Sequence, residues 1–163
     1  MDRSTSPHWV EHRAEVVRGH RVASGSNGDP RFPGGTVRMQ VPHFLALGLD
    51  LGRFFPGTLN VSIAPLCYRV AQPRFKFDKV KWHPTEPAET FSFFDIRLLR
   101  ENETPVRGFI YYPHPETKPE HFQKSDVLEL LLPYVEGISV GSKLRIEIPS
   151  DQMVLEETQM SQG

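Results

Sequence analysis

Thr58 and Asn60 stand two residues apart just after a Pro-Gly turn, in the run Phe54-Phe55-Pro56-Gly57-Thr58-Leu59-Asn60-Val61-Ser62-Ile63. Alternate residues of an extended chain share a face, so Thr58, Asn60 and Ser62 oppose Leu59, Val61 and Ile63. An ordinary half-buried strand explains that alternation. The place of Thr58 and Asn60 directly after a tight turn also puts two oxygen-bearing side chains where a ligand could reach them. A second group with chemical potential is Glu129, a carboxylate inside Val127-Leu128-Glu129-Leu130-Leu131-Leu132-Pro133. If buried, it requires a partner; if the strand is an edge, it faces solvent.

Three further stretches carry chemistry-bearing residues. Gly19 to Gly35 is a long loop that includes Gly19, Gly25 and Gly28. Glycine lets a chain turn and approach an anion with its N–H groups, and it equally serves plain turns. No Gly-Lys-Ser/Thr follows, and no dinucleotide fingerprint is present. Pro113-His114-Pro115-Glu116-Thr117-Lys118-Pro119-Glu120-His121 is a proline-stiffened loop with two histidines, a binding edge or a plain connection. His8-Trp9-Val10-Glu11-His12 has the letters of the H-x-x-E-H metalloprotease motif. That chemistry needs a rigid helix and a further carboxylate ligand. Here Pro7 precedes the motif and no helical pattern follows, so a surface segment anchored by Trp9 is the preferred reading.

Short strands must position these groups. Fifteen prolines and twelve glycines in 163 residues, with few long helical patterns, predict a mainly β fold. A first strand is expected from Glu15 to Gly19 and another over Thr36–Val41. Pro42–Gly48 reads as one or two helical turns, with proline at the start and glycine at the stop. The strand after Pro56-Gly57, Cys67–Val70, Phe75–Phe77 and Val80–Trp82 follow. Thr90–Leu99 and Val106–Tyr112 form a hairpin around Arg100–Thr104. Val127–Pro133 is a buried strand, with a helical turn as the alternative, and Lys143–Ile148 closes the series. Eight or nine short strands with little helix suggest a small closed barrel. The expected organisation is one domain over residues 14–150, with poorly ordered tails at 1–13 and 151–163.

Composition narrows the function classes. The formal net charge is −1 and no lysine or arginine run tracks a phosphate backbone, which disfavours nucleic-acid binding. A single cysteine, Cys67, excludes an internal disulfide framework and fits a reducing compartment. No stretch approaches a membrane span, and Met1–Ser6 lacks a signal peptide's apolar centre. A soluble cytoplasmic protein that does not engage membranes is the expectation.

The order of these pieces resembles the archaeal-type CTP-dependent riboflavin kinase family. A strand enters a glycine loop; a short helix, Pro56-Gly57-Thr58-Leu59-Asn60, an aromatic-proline loop with Thr and His, and an apolar run with Glu129 follow in turn. A Gly-x-x-Leu-x-Ile-x-Ile strand closes the chain. The likeness spans about Glu15 to Ile148 and is sharpest at Pro56–Asn60 and from Thr117 to Pro133. It implies a six-stranded cradle-loop barrel with extra hairpin strands, and Mg²⁺-dependent phosphoryl transfer from a nucleoside triphosphate to riboflavin, giving FMN. By the same resemblance Thr58 and Asn60 hold the magnesium. Thr117 and Glu129, with His121 on the same loop, serve the flavin end, and the loop with Gly19, Gly25 and Gly28 lies against the nucleotide. Glu129 would orient the substrate hydroxyl or accept its proton. Where the family carries a short basic segment, this chain reads Tyr134-Val135-Glu136-Gly137. A non-catalytic flavin- or nucleotide-binding module is the alternative use of the same barrel.

Overall fold

A computed structural model of the chain describes residues 8–18, 35–117 and 125–157. These form nine strands, one α-helix and one 3-10 turn. The strands are β1 (Trp9–Val16), β2 (Leu59–Ser62), β3 (Leu66–Val70), β4 (Phe75–Val80) and β5 (Glu89–Arg100), then β6 (Glu103–Pro113), β7 (Val127–Leu131), β8 (Lys143–Pro149) and β9 (Met153–Glu157). The helix α1 spans Thr36–Ala46, and the 3-10 turn spans Pro115–Thr117.

Six strands pair in a closed antiparallel ring in the order β5-β6-β7-β2-β1-β8, with β8 returning to β5. The length of β5 makes the closure possible. Its first half takes β4 on one edge, through Phe75↔Phe93 and Phe77↔Phe91. Its second half takes β8 through Arg97↔Glu147 and Leu98↔Ile146. β3 and β9 form a separate two-stranded sheet.

Alternation gives each strand two faces, and the ring uses them differently. Val61, Ile63, Phe94, Ile96, Leu128, Leu130, Ile146 and Ile148 belong to one buried cluster drawn from strands all round the ring. A second cluster joins α1 and the segment after it, through Val37, Phe44, Leu49 and Leu51, to Phe91, Phe93, Tyr111 and Leu131 on the opposite face of β5–β7. Phe44 packs edge-on to Phe91 and Phe93, with ring centroids 5.0 and 5.1 Å apart. This two-sided burial explains why Phe91, Phe93 and Phe94, which fall on both faces of β5, are all buried.

Several expectations are corrected. Thr36–Val41 is helical rather than extended and runs straight on through Pro42. Its buried residues Thr36, Val37, Gln40 and Phe44 recur at helical spacing. Burial of that stripe against the β5–β6 aromatics outweighs the local alternation. Pro42 faces solvent and lacks the N–H that would bond the preceding turn. The first strand lies at Trp9–Val16, not Glu15–Gly19, and so begins inside the stretch expected to be a tail. Seven registered pairings to β8 hold it. The other expected tail contains β9, whose Met153 and Leu155 enter the core. Val80 ends β4 beyond a register shift at 77–80, where Lys79 has φ 51°, rather than opening a new strand. None of the helices among the described residues is long and apolar enough to cross a membrane.

Candidate functional site

The pairing of β2 with β7 sets Asn60 directly opposite Glu129. Both are buried, each 8% exposed. The turn before β2 brings Thr58 to the same face, where its Oγ1 donates to Glu129 Oε1 at 3.1 Å. The same hydroxyl lies 3.5 Å from Asn60 Oδ1. Three residues that the sequence separates by up to 71 positions thus present their oxygens to one point. A hydrogen bond to a carboxylate is worth about 1.5–3 kcal/mol, which helps to offset the cost of burying Glu129.

The β6–β7 pairs Phe109↔Leu131 and Ile110↔Leu130 place Tyr111 next in line beside Glu129. The Tyr111 hydroxyl donates to Gln40 Oε1 of α1 at 2.6 Å. Burial, and after it the charges of Glu129 and Glu89, raise the Tyr111 phenol well above its ordinary value. Tyr68 on β3 is pushed up to about 12 by burial first, then by Tyr112 and Glu129. Both phenols are therefore neutral donors across the physiological range. Tyr68, Tyr111 and Gln40 escaped the sequence reading. The alternation of Phe109-Ile110-Tyr111-Tyr112 marks one tyrosine per face, but nothing local tells which one approaches Glu129.

Two hollows flank the cluster. A water-sized cleft of about 20 Å³ is walled by Tyr68, Tyr112, Pro113, Pro115 and Glu129. On the other side an apolar cavity of about 160 Å³ is lined by Phe55, Thr58, Leu130, Leu132, Tyr134 and Ile138. A cavity near 150 Å³ with an apolar lining accepts one benzene-sized ring. Phe55 and Tyr134 are 48% and 73% exposed, with ring centroids 6.4 Å apart, so aromatic surface stands free at this cavity.

The oxygen set fits a magnesium ion. Mg²⁺ takes ligands at 2.0–2.1 Å in an octahedron, so adjacent ligand oxygens sit about 3 Å apart. The 3.5 Å separation of the Thr58 and Asn60 oxygens is near that spacing. Thr58 offers lone pairs while its proton is held by Glu129, and Glu129 supplies negative charge that Thr58 and Asn60 lack. A softer metal is less well served: among the described residues, no group of three or more His, Cys, Asp or Glu is placed to hold an ion. The His8-x-x-Glu11-His12 letters fall at the start of β1, where residues four apart are about 13 Å from one another.

The remaining expected residues are not brought to this cluster by anything described. Gly19, Gly25, Gly28 and His121 lie outside the described residues. Thr117 closes the 3-10 turn with its backbone, and its side chain is likewise outside the description. Comparison with protein-family models and with curated proteins finds no match to this chain.

Proposed function

We propose that the protein is a riboflavin kinase-like phosphotransferase on a six-stranded cradle-loop barrel. In this reading it transfers a phosphoryl group from a nucleoside triphosphate to riboflavin or a similar polyol. The observation that carries this is the convergence of Thr58, Asn60 and Glu129 on one face of β2–β7. Phosphoryl transfer asks a protein mainly for positioning and charge neutralisation. Thr58 and Asn60 would hold Mg²⁺, which when bound neutralises phosphate charge. Glu129 orients the terminal hydroxyl of the acceptor and takes its proton as the hydroxyl oxygen bonds to the γ-phosphorus. The bond from that phosphorus to the bridging oxygen breaks, and the nucleoside diphosphate leaves with the electron pair. The adjoining apolar cavity has room for one edge ring of the acceptor's flat ring system, and the exposed Phe55 and Tyr134 offer aromatic surface to the remainder.

A binding module without turnover is the second reading. It is favoured by the Tyr134-Val135-Glu136-Gly137 segment, which carries an acid where the resembled family has basic residues. The test is a screen of purified protein with riboflavin, Mg²⁺ and each of CTP, ATP, GTP and UTP. FMN formed with any one nucleotide supports the kinase and names the donor. Thermal stabilisation by flavin or nucleotide without FMN supports the module, and no response to any ligand overturns both.

A further inference from the structure

We propose that His114 is a positioning residue, anchored between Ser92 and Glu116 so that the Pro115–Thr117 turn is fixed as a wall of the Glu129 cleft. This rests on the site proposed above. Ser92 lies in Thr90-Phe91-Ser92-Phe93-Phe94, 2% exposed. A hydroxyl buried among aromatics costs free energy unless bonded. Its partner is His114, whose Nε2 lies 2.7 Å from Ser92 Oγ. On the other side of the ring, His114 Nδ1 lies 3.2 Å from Glu116 Oε2. With the proton on Nδ1, the imidazole donates to Glu116 and accepts from Ser92, so both nitrogens are satisfied. The ring also rests against Tyr112 at 5.0 Å, and the His114 N–H donates to the Thr90 carbonyl at 2.8 Å.

These contacts act where β6 gives way to the turn. Pro113 and Pro115 flank His114, and both line the cleft that holds Glu129, Tyr68 and Tyr112. Prolines fix φ but cannot donate backbone hydrogen bonds, and among the described residues His114 tethers this turn to β5. The Ser-His-Glu order is also that of a nucleophilic relay. Ser92 reaches neither hollow beside Glu129, however, and its burial denies a substrate access to Oγ. The arrangement therefore fastens a turn rather than forming an acyl-enzyme.

The test compares Ser92→Ala and Ser92→Thr with the wild type in two measurements. The first is amide hydrogen exchange at His114, which needs no ligand. Ser92→Ala is expected to speed it roughly fivefold or more, and Ser92→Thr, which keeps the hydroxyl, to restore protection. The second is riboflavin affinity by fluorescence quenching with Mg²⁺ and nucleotide. Ser92→Ala is expected to raise Kd roughly tenfold while turnover at saturation stays within about threefold. Unchanged exchange in Ser92→Ala, or equal loss in both variants, overturns the anchor. Labelling of Ser92 by a fluorophosphonate probe overturns it in favour of the nucleophile. If the wild type binds no riboflavin, the kinase reading falls and the exchange measurement decides the anchor alone.

Discussion

Asn60 and Glu129 face each other across two strands, and the proposed reaction gives them different tasks that substitution separates. Asn60→Ala removes one neutral oxygen. It is expected to weaken Mg²⁺-dependent nucleotide binding by at least about tenfold, while costing only about 1 kcal/mol of stability. Isothermal titration with and without Mg²⁺ reads the first effect and urea unfolding the second; unchanged Mg²⁺-dependent affinity would remove Asn60 from the metal. Glu129→Gln keeps the acceptor for the Thr58 hydroxyl but loses the charge and the proton-accepting oxygen. Turnover should fall by about 10²–10⁴, with riboflavin affinity changed less than about threefold. Tyr68 gives a prediction in pH. Its folded phenol titrates near 12 against an ordinary 10.0. Between those values the unfolded chain has lost the proton and the folded chain keeps it. The stability associated with neutral Tyr68 is thus complete below pH 10 and is lost as pH rises toward about 12. Tyr68→Phe should make the urea midpoint fall less steeply over that window. An identical slope in the variant would mean Tyr68 does not contribute.

At the scale of elements, β6 and β7 approach each other closely beside Gly108, a residue whose lack of a side chain permits it. A Cβ there would collide with the Leu131 carbonyl oxygen and come within 2.6 Å of Leu132 Cδ2. Backbone cannot step aside as a flexible side chain can, so Gly108→Ala should cost about 3 kcal/mol or more and disturb the β7 register beside Glu129. Chemical denaturation measures this, and a loss under 1 kcal/mol would show that the strands separate easily. The same scale shows what the sequence made legible. The β5–β6 hairpin, β2, β7 and β8 stand close to where alternation and turn residues put them, because one face of each strand belongs to a shared core. The second half of α1 falls within the expected Pro42–Gly48 turns, but its first half was hidden because Thr36–Val41 alternates locally, while the helical stripe has meaning only against Phe91 and Phe93 on a distant strand. Thr58, Asn60 and Glu129 could be picked out singly, as oxygens after a turn and a carboxylate in an apolar run. That β2 lies beside β7 is a property of the pairing, so their meeting was carried by the resemblance rather than by the residues. Tyr68 and Gln40 carried no local signal at all.

At the scale of the molecule, the ring is only as continuous as β1, which joins β2 to β8. The joint with β2 is short, Glu15↔Ser62 and Val16↔Val61, whereas that with β8 runs from Trp9↔Pro149 to Glu15↔Lys143. Arg97 ties this seam to β5: its guanidinium lies 3.7 Å from the Trp9 ring centroid and 3.5 Å from Glu147 Oε1. A cation over indole contributes about 0.5–2 kcal/mol, and a partly exposed ion pair less than about 1. Arg97→Ala should therefore lower stability by about 1–2 kcal/mol without changing the fold. Deleting residues 1–13 is a harsher change. It removes five of the seven β1–β8 pairings, from Trp9↔Pro149 to Arg13↔Arg145, and exposes the edge of β8. A ring opened at that seam leaves Ile146 and Ile148, both fully buried in the intact chain, without cover. The shortened protein should lose its cooperative thermal transition, whereas Arg97→Ala keeps a single transition at lower temperature. A deletion variant that still unfolds cooperatively at an unchanged midpoint would show that β2, β7 and β5–β6 hold the core without closure, and that β1 lies on the ring rather than completing it.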